Sequence, residues 1–131
     1  MESINKFPNW NGLLHGKENC LVLLISEFSR QGIDFQRWLA VYDIDKKRNR
    51  LQNPPIIKDE RFEFLKPDLG KFVLVKFECT KVDLDEENAE ITNLNSKYFQ
   101  NIDSLTSFLS EQEIDLQKME LPWKLEYPLG V

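Results

Sequence analysis

KFVLVKFECTKV, Lys71 to Val82, is the stretch on which the fold turns. Apolar Phe72, Val73, Leu74, Val75, Phe77 and Cys79 mix with polar Lys71, Lys76, Glu78 and Thr80, a period-two pattern rich in β-branched and aromatic residues, which predicts a strand. Pro67 to Gly70 (PDLG) punctuates the chain before it as a turn. After it, Asp83 to Asn88 is a polar connection, and Glu90 to Phe99 returns as the second arm of a hairpin. Upstream, Phe35 to Asp45 (FQRWLAVYDID) reads as a strand, the apolar run Cys20 to Phe28 (CLVLLISEF) fits a central strand or a short buried helix ending near Gly32, with strand favoured, and Arg61 to Leu65 (RFEFL) also alternates. Trp10 to Gly16 reads as a loop, and Lys46 to Arg50 as a solvated turn or exposed strand end.

Downstream the period changes. Ile102, Leu105, Phe108 and Leu109 recur at three-to-four spacing after Asn101, a plausible N-cap, with Asp103 in the first turn, which predicts a helix from Ile102 to Gln112. Asp115 is positioned to cap a further short turn through Leu116 to Met119. Pro122 ends it, and the tail Leu121 to Val131 is rich in large apolar groups. Strands followed by a late helix imply an α+β single domain, residues 1–131, with an antiparallel sheet of about four to five strands covered on one face by one main C-terminal helix and short helical turns.

Composition narrows the function. The 131 residues, 41% hydrophobic and 30% charged with 15 aromatics, suit one folded domain with its own core. The net charge is −5, and it is uneven: residues 1 to 80 carry 13 Lys/Arg against 11 Asp/Glu, whereas residues 81 to 131 carry 4 against 11. This balance disfavours sequence-independent nucleic-acid binding. The longest apolar run, Cys20 to Ile25, is far below the ~18 residues of a membrane span, and no apolar leader is seen, so the expectation is a cytoplasmic protein with no membrane role. Cys20 and Cys79 read as buried thiols rather than a disulfide or zinc pair.

No catalytic constellation emerges. His15 is the single histidine and has no evident nucleophile or orienting acid. The five glycines form neither a G-x-G nor a phosphate-loop pattern. Calcium-loop readings from Asp83 or Asp43 fail, because Asn88 and Leu94, or Lys47 and Arg48, occupy key positions. The expectation is no catalytic residue, no cofactor and no metal. The acidic run Asp83, Asp85, Glu86, Glu87 and Glu90 is the candidate partner-binding set: five carboxylates in eight residues present a negative field to a cationic protein partner and steer its approach. An alternative is a small enzyme or ligand-binding domain with an aromatic-lined pocket, in which Glu63 or Glu78 supplies acid–base function. A third is a structural subunit that oligomerises through its apolar tail.

Tyr98-Phe99, Asn101 to Leu105, Phe108-Leu109, Ile114 to Leu116, Leu121-Pro122-Trp123 and Tyr127-Pro128-Leu129 form a capped helix followed by a Pro-Trp and Tyr-Pro-Leu tail. In this order they resemble the end of small bacterial immunity proteins, the cytoplasmic antidotes of polymorphic-toxin and contact-dependent growth inhibition systems. The resemblance lies in the C-terminal third. It implies a stoichiometric inhibitor of a cognate toxin domain with no catalytic residues of its own, and the acidic run suits a basic toxin such as a nuclease. Trp123 and Tyr127 are expected to cover the sheet or helix with aromatic area.

Overall fold

The period-two segments other than Arg61 to Leu65 pair as expected, and the apolar content on both parities of the central strands decides how the sheet is buried. The computed structural model describes residues 7–51, 60–80, 91–125 and 127–129. Strands β1 (Cys20–Arg30), β2 (Ile33–Asp43), β3 (Phe72–Thr80) and β4 (Ile91–Phe99) form an antiparallel meander in chain order. β1 turns into β2 through Gln31 and Gly32, whose φ angles of 53° and 79° are both positive, as a two-residue hairpin with the twist of its strands requires. Helices α1 (Pro8–His15), α2 (Ile44–Leu51) and α3 (Ile102–Glu111) complete an α+β fold with short 3-10 turns at Glu60–Phe62, Leu116–Lys118 and Pro122–Lys124.

The expected single covered face is corrected to two. In β2, Trp38, Ala40 and Tyr42 point one way and Leu39 and Val41 the other, and all five are buried. In β3 the same split puts Val73, Val75, Phe77 and Cys79 on one face and Phe72 and Leu74 on the other. On the first face lie Ile44 of α2, Phe62, Phe64, Leu65, Tyr127 and Leu129. The second face is covered by Trp10 and Leu13 of α1, Leu105 and Leu109 of α3, and Met119.

α3 starts as read from the sequence, with Asn101 Oδ1 accepting from Ser104 N at 2.9 Å. It ends at Gln112 in a Schellman motif: Ile114 N donates to Leu109 O and Glu113 N to Ser110 O, both at 3.0 Å, with Glu113 at φ 60°. Asp115 caps the next turn by accepting from Gln117 N at 3.0 Å.

Three local readings change. Trp10 to Gly16 is not a loop but mostly helix. Pro8 stands in its first turn, Trp10 and Leu13 are fully buried one turn apart, and Trp10 Nε1 donates to Leu116 O at 2.8 Å. Lys46 to Arg50 lies in α2. Asp43 caps it by accepting from Lys46 N at 3.1 Å, Lys46 Nζ ties the α1 terminus through Gly16 O at 3.1 Å, and Arg48 reaches Leu65 O at 3.3 Å. Arg61 to Leu65 is the end of a 3-10 helix followed by a turn rather than a strand. Leu65 N bonds back to Phe62 O at 3.1 Å, so local bonds replace a ladder while Phe62 and Phe64 both stay buried. Close approach also fixes Gly70, where a Cβ would lie 2.9 Å from Phe99 O.

Candidate functional site

The two faces differ in how far their covering reaches. β1 and β2 have 11 residues each, about 36 Å at the usual rise, whereas α3 has 10 residues and spans about 15 Å. On the first face the buried side chains run the length of β3, from Val73 to Cys79. Burial on the second face stops at Leu39 and Leu74, so the far half of that face is open among the described residues.

Register defines what the open half presents. Ser26 faces Arg37, Phe28 faces Phe35, and Arg37 faces Glu78 across adjacent strands. The Phe28 and Phe35 rings stack with centroids 5.4 Å apart and planes 11° off parallel. Arg30 lies 5.3 Å from the Phe28 centroid and 5.9 Å from that of Phe35, while Arg37 lies 5.1 Å from Phe28. Arg37 also meets Glu78 at 3.7 Å, and Asn93 Nδ2 donates to the same carboxylate at 3.2 Å. The result is a half-exposed aromatic pair between two guanidinium groups, a combination that supplies large contact area and charge with little side-chain entropy to lose. Beside it, Ser26 Oγ is buried without a hydrogen-bond partner.

Where the helical layer ends, a groove of about 680 Å³ opens between α3 with its following turn and the sheet. Leu23, Leu39 and Leu74 form its floor, Phe108 and Ile114 its wall, and Lys76 and Lys97 stand at its β3–β4 side. Its volume is that of an ordinary ligand cleft, and its lining combines an aliphatic floor with a polar and charged rim, Phe108 being its one aromatic side chain among the described residues.

The sealed face holds a buried polar cluster. Tyr42 and Tyr127 share a 2.6 Å hydroxyl hydrogen bond, and Lys47 of α2 sits with Nζ 5.8 Å from the Tyr42 ring and 5.3 Å from the Phe62 ring. Burial pushes the Cys20 thiol up to about 12, against a smaller opposing pull from Lys47. Burial likewise raises Cys79 to about 11, sends both tyrosines well above their ordinary value, and lowers Lys47. A thiol held neutral in this way is a packing group rather than a nucleophile. Both cysteines are free and buried.

The candidate partner set Asp83, Asp85, Glu86, Glu87 and Glu90 lies outside the described residues. The strands on either side of it in the chain, β3 and β4, end at Thr80 and begin at Ile91. The two alternative acids do not come together: Glu63 is exposed on the turn after Glu60–Phe62, and Glu78 is held by Arg37 and Asn93. His15 is exposed at the end of α1. Tyr127 is buried as expected, but Trp123 is 61% exposed, because the turn at Pro122–Lys124 directs it off the core. Among the described residues no three His, Cys, Asp or Glu side chains gather as a metal site, and no helix is long and apolar enough to cross a membrane. Comparison with protein-family models, curated proteins and solved structures finds no match.

Sequence reading missed the open face. Its signal was present as Phe28-x-Arg30 and Phe35-x-Arg37 on either side of Gln31-Gly32, which puts both Phe-x-Arg pairs on one face of a hairpin.

Proposed function

We propose that the chain is a protein-binding protein that acts in the cytoplasm as an immunity protein, neutralising a cognate toxin domain by occlusion and using no catalytic residue of its own. The observation that carries this reading is the Phe28–Phe35 stack between Arg30 and Arg37 on a half-covered sheet. Aromatic and arginine side chains in a central, partly desolvated patch are the groups that most often dominate interface energy. The acidic connection containing Asp83, Asp85, Glu86, Glu87 and Glu90 adds a negative element that suits a basic partner such as a nuclease, standing in for its phosphates. The C-terminal resemblance to immunity proteins supports the same class.

Co-expression with a toxin domain encoded beside this protein tests the reading. The expected results are survival of the host cell, a stoichiometric complex through purification, and an affinity that falls as ionic strength rises. Replacing Phe28 or Arg37 by Ala is expected to weaken the complex at least tenfold while leaving the free protein folded. Equal killing with and without the protein, together with no recoverable complex, would falsify the proposal.

A further inference from the structure

The groove beneath the end of α3 is polar at one side and apolar at the other, and this polarity follows from strand order. Lys76 of β3 and Lys97 of β4 stand at one side with Asn95 of β4, which pairs with Lys76, while the floor continues through Leu74, Leu39 and Leu23 to β1. Crossing four strands covers roughly 14 Å at the usual interstrand spacing. The roof is the segment that leaves α3, which packs on β3 and β4, and reaches Glu120, which is bridged to Val22 of β1.

Charge then selects the ligand. Lys97 Nζ is held 4.3 Å from the centroid of Phe108 on the wall, so this cation is positioned rather than free to swing into solvent. The ammonium groups of Lys76 and Lys118 have no hydrogen-bond or ion-pair partner among the described residues. Of the two carboxylates on the roof, Asp115 already accepts from Gln117 N, and Lys118 stands beside them.

We infer that this groove is a binding site for a small aliphatic carboxylate of the medium-chain fatty-acid type, with its anionic head between Lys76 and Lys97 and its chain laid across Leu74, Leu39 and Leu23. The site is separate from the Phe28–Phe35 patch and does not depend on the protein-binding reading. The carboxylate gains two exposed cations at the mouth, and the chain covers the half-buried Leu23 and the edges of the buried Leu39 and Leu74.

Titration of the full chain with sodium decanoate below its micellar range, followed by amide and methyl NMR shifts, tests the inference, with 1-decanol and decylammonium as matched probes. Saturable shifts are expected at Leu23, Leu39, Leu74, Phe108 and Ile114 with decanoate, weaker binding with decanol, and none with decylammonium. Lys76→Gln and Lys97→Gln are each expected to weaken decanoate by about three- to fivefold, whereas Lys124→Gln, which lies off the groove, leaves it unchanged. Lys76 is exposed and carries no packing role, so its variant reports on charge even if Lys97→Gln loosens α3. Decanol binding as tightly as decanoate, shifts centred elsewhere, or no saturable shift would each overturn the assignment.

Discussion

One sheet carries two faces of opposite character. On the sealed face, Trp38, Tyr42, Phe77 and Cys79 are buried under α2, the Phe62–Leu65 turn and the tail at Tyr127 and Leu129. The opposite face is packed only at one end, under α1 and α3, and its remainder presents Phe28, Phe35, Arg30, Arg37, Lys76 and Lys97. The difference comes from what covers each face: on the sealed face the Phe62–Leu65 turn and the tail add to the 8-residue α2, whereas on the other the 10-residue α3 cannot reach both ends of an 11-residue strand that gains more than twice the rise per residue. Stability is therefore concentrated on one face, and under the proposed function binding would fall on the other, so a substitution should report on one or the other.

The largest effect belongs to the sealed face. Phe77→Ala removes a fully buried ring that meets Tyr127 at 5.9 Å and is expected to cost about 3–5 kcal/mol, read as a lower urea midpoint. A loss near zero would mean that this face is less tightly packed than its burial implies.

Alkaline pH probes the same face through its buried thiol. Folded Cys20 titrates at about 12 against an ordinary 9.0, so its neutral form is favoured in the folded state. The stability linked to it is complete below about pH 9 and is lost as the unfolded chain ionises above that point. Lys47 acts with the opposite sign: its lowered pKa makes stability rise with pH until the ordinary lysine value of 10.5 is reached. Comparison with Cys20→Val isolates the thiol. Between pH 8 and pH 10 the native chain is expected to lose about 1.4 kcal/mol relative to the variant, measured by chemical unfolding at each pH. Parallel curves would show that the thiol is ionised or solvated in the folded state.

On the open half, Phe28→Ala is expected to cost no more than about 1.5 kcal/mol of folding stability, because the ring is half exposed and loses chiefly its stack with Phe35. A cost as large as that of Phe77→Ala would erase the distinction between the faces. The smallest effect has the opposite sign. Glu113→Gly relieves the positive φ of 60° at the end of α3, on the roof of the groove, and is expected to stabilise by about 0.5–1 kcal/mol, seen as a rise in melting temperature.

Much of this architecture was legible in the chain. β3, β4, α3 and the caps at Asn101 and Asp115 follow from local periodicity and from oxygen-bearing side chains placed one turn before free amides. α2 was hidden because Lys47 interrupts an apolar stripe that runs from Ile44 to Leu51, although its aliphatic stem packs as an apolar side chain does. α1 was hidden by its glycine and asparagine content, with Pro8 and the Trp10–Leu13 spacing as the overlooked signs. The Arg61–Leu65 alternation was real in burial but not in backbone pairing, since a turn can also bury every second residue. The candidate site was the least legible part. Pattern pointed to the acidic run from Asp83, whereas the open face arises from how far one layer extends over another, which no local window contains.

The edge strands carry a further consequence. In β1 the register slips between Leu24 and Ser26, and in the β3–β4 pair it slips between Lys76 and Glu78, with Asn93 of β4 at φ 53°. A guest strand aligning with either margin would meet an interrupted row of amides and carbonyls within a few residues. Under the proposed protein-binding function, a partner would be turned away from backbone pairing and toward the side chains of the open surface. Recognition written in side chains can be rewritten one residue at a time, leaving the fold beneath it untouched.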